Sequence, residues 1–161
     1  MWTKQPNSDL CFVCGLDNPV GLQLTFWQSA DRVRSRCQLP EPYQSWPNIG
    51  HGGVISALLD EVMARAVIGL HDAFAVSVKL ALRFHDNTPL NEPLVVEGWV
   101  ERRRGTQWFF TAAELRHGED DRLLASATAT FTCVPPNQAA HLHVLMAQWP
   151  THEPEVRESA P

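Results

Sequence analysis

The chain has 161 residues, 44% of them hydrophobic and 19% charged, which is typical of one ordinary globular domain with a sizeable core. Its net charge of −5 argues against nucleic acid or an anionic membrane surface as the main partner. No apolar stretch approaches the length of a membrane span, and the first ten residues lack the apolar region of a signal peptide. We therefore expect a cytoplasmic protein whose four cysteines are reduced.

Two of these cysteines, Cys11 and Cys14, form a Cys-x-x-Cys motif that is followed by Gly15. Such a pair is half of a zinc ribbon, or a redox motif where it joins a strand to a helix. Neither context is present, because Cys37 and Cys133 stand alone and the residues after Gly15 are rich in turn formers. We therefore expect no metal, and we interpret the pair as small thiols that attach the N-terminal segment to the core.

Two short strands are predicted ahead of the only long helix. Residues 22–28 (LQLTFWQ) and 32–39 (RVRSRCQL) alternate between apolar and polar side chains, and the four residues SADR at 29–32 are typical of a hairpin turn. Residues 40–50 contain three prolines and a glycine, which predicts a loop.

Three or four strands are predicted after the helix, at residues 75–84, 94–103, 106–116 and 122–133. The alternation in the first of them predicts two faces, with Val76, Val78, Leu80 and Leu82 on one and Ser77, Lys79 and Arg83 on the other. The composition changes at residue 135, so the predicted domain covers residues 1–134 and the tail, residues 135–161, is a short helix or disordered.

The order of these elements predicts an α+β fold, in which a curved antiparallel sheet of five to six strands wraps a long central helix. One helix cannot cover both faces of such a sheet. The other face, or its edge, is then free to pair with a second subunit.

The long helix is predicted from about Gly52 to Leu70. A stripe on its helical wheel should face the sheet; it consists of Ile55, Leu58, Leu59, Val62 and Ala66. Glu61 lies away from this stripe, four residues before Arg65, which is the spacing of a solvated ion pair.

Asp60 lies on a largely apolar shoulder of the same helix, with no cationic partner in reach. A half-buried, unpaired carboxylate has a raised pKa and is a candidate for acid–base or nucleophilic catalysis. It is equally compatible with a carboxylate that hydrogen-bonds a backbone group or a subunit neighbour.

The helix starts with the tripeptide His51-Gly52-Gly53. The first N–H groups of a helix have no internal acceptor, and two glycines leave them accessible to a carbonyl oxygen or oxyanion. A tight turn with His51 as a cap explains the same residues. Along one helix these donors are more than about 10 Å from Asp60. One site that contains both therefore requires a symmetric dimer, in which each of two sites takes its donors from one chain and its acid from the other.

The chain resembles the hotdog-fold acyl-CoA thioesterases of the 4-hydroxybenzoyl-CoA and phenylacetate-pathway type. The resemblance rests on residues 11–26 (CFVCGLDNPVGLQLTF) and 43–61 (YQSWPNIGHGGVISALLDE), with support from residues 75–84, 97–105 and 123–131. It spans roughly residues 11 to 133.

The resemblance implies hydrolysis of acyl-CoA thioesters to free acid and coenzyme A. The backbone N–H of Gly52 or Gly53, aided by His51, would hold the thioester carbonyl. Asp60 of the partner subunit would attack that carbonyl or activate a water, which Ser77 would position. A non-catalytic module of the same fold that only binds acyl-CoA remains the alternative.

The resemblance also implies substrate contacts at Gln44, Arg103 and Arg104, the arginines reaching the phosphates of coenzyme A. Exposed arginines in a turn are also typical of a merely solubilising surface. No metal and no cofactor beyond the coenzyme A of the substrate are expected. The implied assembly is a homodimer, or a dimer of two dimers.

Overall fold

The computed structural model describes residues 1–149 and shows one antiparallel sheet around one long helix. The elements in chain order are β1 (Thr3–Lys4), β2 (Trp27–Gln28), β3 (Val33–Cys37), a short 3₁₀ turn (Glu41–Tyr43), α1 (Gly52–His71), β4 (Ala75–Phe84), β5 (Leu94–Arg104), β6 (Trp108–His117), β7 (Leu123–Cys133) and α2 (Pro136–Met146). The sheet has seven strands in the order β1-β2-β3-β5-β6-β7-β4. The predicted fold class is confirmed, with seven strands instead of five to six.

Helix α1 forms because its apolar stripe is buried against the sheet. Every residue predicted for the stripe is buried, together with Met63 and Val67. The helix packs against each strand from β2 to β7. Each fully buried Leu, Ile or Val contributes about 1.5–3 kcal/mol by removal from water, so this contact organises the core. The helix ends at Asp72, whose left-handed backbone lets its N–H donate to the carbonyl of Ile68.

The predicted strand at residues 22–28 is wrong for all but its last two residues. Gln23 has a positive φ of 52°, which interrupts an extended chain. The N–H groups of Leu22 and Leu24 donate instead to the carbonyls of Phe12 and Val13 in the cysteine loop. Sequence alternation could not reveal this loop partner, nor the two-residue strand β1 that pairs with β2.

Strand β4 carries a β-bulge that the alternation did not predict. Ser77 pairs with Phe131 and Lys79 with Thr130, so Val78 is the extra residue. Ser77 therefore lies on the same face as Leu80 and Leu82, toward α1, because their partners on β7 are all buried. The predicted placement of Ser77 on the opposite face from Leu80 is wrong for this reason.

The N-terminal segment lies over α1 and buries Arg65, which is only 5% exposed. Arg65 Nε donates to Glu61 Oε1 at 2.9 Å, and its Nη1 donates to the carbonyl of Pro6 at 2.6 Å. The predicted pair of Glu61 and Arg65 exists, but the prediction that it is solvated is wrong. The segment that covers this pair has no regular periodicity, so a helical wheel of α1 could not reveal it.

Helix α2 follows β7 directly, and the ring of its His143 meets that of Phe74 edge to face at 4.6 Å. The rest of the predicted tail, residues 150–161, lies outside the described residues, and the division at residue 134 stays a prediction. Among the helices of residues 1–149, none is long and apolar enough to cross a membrane.

We expect Arg65→Met to lower the free energy of unfolding by about 3 kcal/mol, because it leaves the half-buried Glu61 carboxylate without its cation and the carbonyl of Pro6 without its donor. Urea unfolding of the full chain measures this effect, with Arg36→Met, an exposed site, as a control that stays within about 0.5 kcal/mol of wild type. A double variant Arg65→Met/Glu61→Gln should lose less than the sum of the two single changes. Additive losses would contradict a coupled buried pair.

Candidate active site

His51 caps the N-terminus of α1. Its backbone is extended, and its Nδ1 accepts a hydrogen bond from the N–H of Gly53 at 2.9 Å. Its carbonyl accepts from Val54 and Ile55. A side chain at Gly53 would place its Cβ 3.1 Å from this Nδ1, so the imidazole would have to shift by a few tenths of an ångström if Gly53 carried one. The cap therefore fixes the orientation of an exposed histidine ring.

The N–H of Gly52 makes no hydrogen bond to another residue within residues 1–149. The ring of Phe84, at the end of β4, lies beside it, since a Cβ on Gly52 would be 3.4 Å from that ring. Of the two glycines predicted as donors, Gly52 thus has the unpaired N–H, whereas that of Gly53 is held by His51. The predicted site did not include Phe84, because an aromatic residue on a strand is ordinarily part of a core.

Asp60 lies on α1, half-buried, two turns further along. Its Oδ1 is buried and has no hydrogen-bond partner among the described side chains and backbone groups. Burial raises the pKa of Asp60 above its ordinary value, a side-chain interaction with Ser77 lowers that pKa in part, and the charge of Glu61 raises it further.

The bulge in β4 is what brings Ser77 to Asp60. Ser77 is exposed on the face of β4 that looks toward α1, and it is the hydroxyl that acts on the Asp60 carboxyl group. A single alternating strand would have turned it away from the helix. Asp60 was predicted from its unpaired position on the helix and Ser77 from the resemblance, and the structure brings the two side chains close enough to interact.

The donors and the carboxylate do not meet within one chain. Gly52 and Asp60 are eight residues apart on one helix, which separates them by ~12 Å along its axis. A thioester carbonyl held at one end is thus out of reach of the acid of the same chain.

The three predicted substrate contacts fall at both ends of α1. Gln44 is exposed and pairs with Gly50 in the loop just before the helix. The guanidinium of Arg103 lies 5.3 Å from the centre of the Phe109 ring, and its charge contributes, after burial, to lowering the pKa of His71 at the C-terminal end of the helix. Arg104 is the next residue and is exposed.

Strand β4 is an edge of the sheet, with β7 as its neighbour on one side. It exposes three large apolar side chains, with 53% of Val76, 55% of Val78 and 53% of Phe84 accessible. A ten-residue edge strand with exposed apolar side chains is a template for pairing with another chain. It borders both Gly52 and Asp60, through Phe84 and Ser77 respectively.

Comparison with known proteins gives one family. Residues 48–124 match the sequence pattern of the thioesterase superfamily. The crystal structure of a thioesterase superfamily protein is similar with a TM-score of 0.69 at 30% identity, over 75% of this chain and 62% of that protein, which is thus the longer of the two. No curated protein matches the chain.

Two further solved structures share the fold at lower identity. Zebrafish thioesterase superfamily member 2 has a TM-score of 0.66 at 18% identity, over 74% of this chain and 90% of that one. A hypothetical thioesterase from Streptococcus pneumoniae, solved with coenzyme A, has a TM-score of 0.61 at 16% identity, over 66% of this chain and 81% of that one.

We expect Asp60→Asn to make the protein more stable than wild type at about pH 8, by at most about 1 kcal/mol. Because the pKa of Asp60 is higher in the fold than in the unfolded chain, folding favours its protonated form. That contribution is complete below the unfolded pKa of about 3.9 and is lost as pH rises through the folded pKa. Urea unfolding across this range should show the advantage of Asn shrinking toward about pH 4. A difference independent of pH would contradict the assigned burial of Asp60.

Proposed function

Because residues 48–124 match the pattern of the thioesterase superfamily and the chain shares the fold of a solved protein of that superfamily, we propose that it hydrolyses acyl-CoA thioesters to a free acid and coenzyme A. The observation that carries this proposal is the Asp60 carboxylate, half-buried with one oxygen unsatisfied and a hydroxyl beside it. A buried carboxylate with a purely structural role is expected to have a hydrogen-bond partner. A carboxylate that binds substrate or water is expected to lack one in the free protein.

Asp60 acts as the nucleophile or as the general base. Its burial raises the pKa of Asp60 above the ordinary value, which makes the carboxylate a stronger base toward water. Ser77 is placed to hold that water against the carboxylate. If Asp60 attacks directly, the carbonyl carbon gains a bond to its oxygen, the thiolate of coenzyme A leaves, and water then hydrolyses the anhydride.

The oxyanion donors are the N–H of Gly52 and the ring of His51. Since Nδ1 of His51 accepts from Gly53, the neutral imidazole carries its proton on Nε2, where it is free to donate to the substrate. The Gly52 N–H adds the partial positive charge of the helix N-terminus. These two donors stabilise negative charge as it develops on the carbonyl oxygen.

The site is completed by a second chain. In a symmetric dimer with antiparallel α1 helices, residues 52–60 of the two chains overlap, so Gly52 of one faces Asp60 of the other. The apolar edge of β4 borders both groups and is the surface that would pair across the two-fold axis. Each dimer then holds two equivalent sites.

The same overlap leaves the C-terminal half of each α1 projecting past the N-terminus of its partner. Arg103 and Arg104 lie at that end, ~16 Å beyond Asp60 by the helical rise. The long pantetheine arm of coenzyme A spans such a gap, so the arginines would take its phosphates. The Streptococcus pneumoniae relative was solved with coenzyme A, and a protein from Streptococcus mutans with the same fold was solved with acetyl-CoA, which supports this ligand class.

We expect Asp60→Asn to lower kcat by about 10²–10⁴, because it removes the base or nucleophile while keeping the shape of the side chain. Release of free thiol from aryl, short-chain and long-chain acyl-CoAs measures turnover. Asp72→Asn is the matched control, since it changes an exposed aspartate at the other end of the same helix, in a left-handed position that asparagine also adopts.

Equal turnover by wild type and Asp60→Asn would exclude the assigned role of Asp60. No turnover of any thioester by a folded wild type that still binds acyl-CoA would identify a binding module instead of an enzyme.

A further inference from the structure

The loop from Cys11 to Gly15 is built around a sulfur atom. The N–H of Gly15 donates to the carbonyl of Cys11 at 2.8 Å, and a Cβ at Gly15 would lie 2.5 Å from the Cys11 backbone, so only glycine closes this turn. The N–H groups of Val13 and Cys14 point at Cys11 Sγ, at 3.4 and 3.5 Å. Backbone donors aimed at a sulfur favour its thiolate, which is the form that binds metal ions.

Glu61 brings a third ligand atom to the two thiols. Its Oε2 lies 3.7 Å from Cys11 Sγ, and the ligand atoms of Cys11, Cys14 and Glu61 all lie within 4.8 Å of one another. Zinc–sulfur bonds of about 2.3 Å and zinc–oxygen bonds of about 2.0–2.2 Å put tetrahedral ligands about 3.5–3.8 Å apart. One ion can therefore reach all three atoms after small side-chain adjustments.

Arg65 completes the surroundings of this cluster. It donates to Oε1 of Glu61 and so turns Oε2 toward the thiols, as outer partners of metal-binding carboxylates do. Two thiolates and one carboxylate are balanced by a divalent cation together with the guanidinium. A bound cation thus leaves the buried group electrically neutral, which lowers the cost of burying its charges.

We propose that Cys11, Cys14 and Glu61 bind one zinc ion, which fixes the N-terminal segment to α1. Two sulfur ligands select a thiophilic ion such as zinc over magnesium or calcium. Three protein ligands leave the fourth tetrahedral position to water. The expectation of no metal rested on the lack of a second cysteine pair, and the fold supplies Glu61 from the helix in its place. This binding is independent of the proposed hydrolysis.

The test is a cobalt titration of the full chain, reduced and treated with a chelator beforehand under anaerobic conditions. We expect one Co²⁺ per chain, with a thiolate-to-cobalt charge-transfer band, the visible bands of tetrahedral cobalt, and displacement by Zn²⁺. Cys11→Ser and Cys14→Ser should each abolish the charge-transfer band or halve it. Glu61→Gln should weaken Zn²⁺ binding at least about tenfold, the least that loss of a supporting partner costs.

The matched controls are Cys37→Ser and Cys133→Ser, which change the two cysteines outside the cluster and should leave the spectrum intact. Wild type with four reduced thiols and no cobalt–thiolate band would overturn the proposal, as would a band that survives unchanged in both cluster variants. A pair that forms a disulfide on isolation and binds no metal after reduction would overturn it as well. If the serine variants do not fold, wild type and Glu61→Gln decide the question.

Discussion

A helix presents unpaired N–H donors only at its first turn, and each further residue moves the chain about 1.5 Å away from them. In this protein the donors are at Gly52 and the acid is at Asp60, so the two halves of the site are ~12 Å apart in one chain. No side-chain rotation closes that distance. A site that uses both groups, as we propose, therefore needs a second α1 that runs in the opposite direction.

The edge strand β4 links the two halves. Its last residue, Phe84, packs beside Gly52, and Ser77 near its start faces Asp60. The bulge at Val78 makes both possible, because it lets Ser77 and Phe84 share one face although they are seven positions apart, an odd offset that would put them on opposite faces of a regular strand. The apolar side chains that this strand exposes would be removed from water if a second chain covered them, and their burial would stabilise the dimer.

A second polar face of helix α1 binds the N-terminal segment. Glu61 follows Asp60 in sequence but points about 100° away, toward Arg65 and the cysteine loop. The N-terminal segment is held there by the hydrogen bond from the Arg65 guanidinium to the carbonyl of Pro6 and by the one from the Cys11 thiol to Glu61. Asp60 stays unpaired because Arg65, five residues on, lies about 140° round the helix from it and pairs with Glu61 instead.

The long elements could be predicted from sequence because their periodicity reflects burial against one continuous sheet. The helical stripe from Ile55 to Ala66 and the strands β4 to β7 are such cases. The failures have local causes that periodicity does not encode. A positive φ at Gln23 ends a predicted strand, the bulge at Val78 reverses a face, and the irregular segment around Pro6 buries a pair predicted to be solvated. His51, Gly52 and Asp60 could be proposed from sequence, but the use of the Gly53 N–H by His51 required coordinates.

The shared site is tested most directly by mixing two inactive variants. Gly52→Pro removes the N–H but suits the first position of a helix, whereas Gly52→Ala keeps the N–H and should remain active. Gly52→Pro should lose about 10²–10³ in kcat, and Asp60→Asn about 10²–10⁴. A heterodimer of the two has one site with both defects and one with neither, so mixed dimers should recover about half of the wild-type turnover per dimer. Verified heterodimers that stay inactive would contradict a site built from two chains.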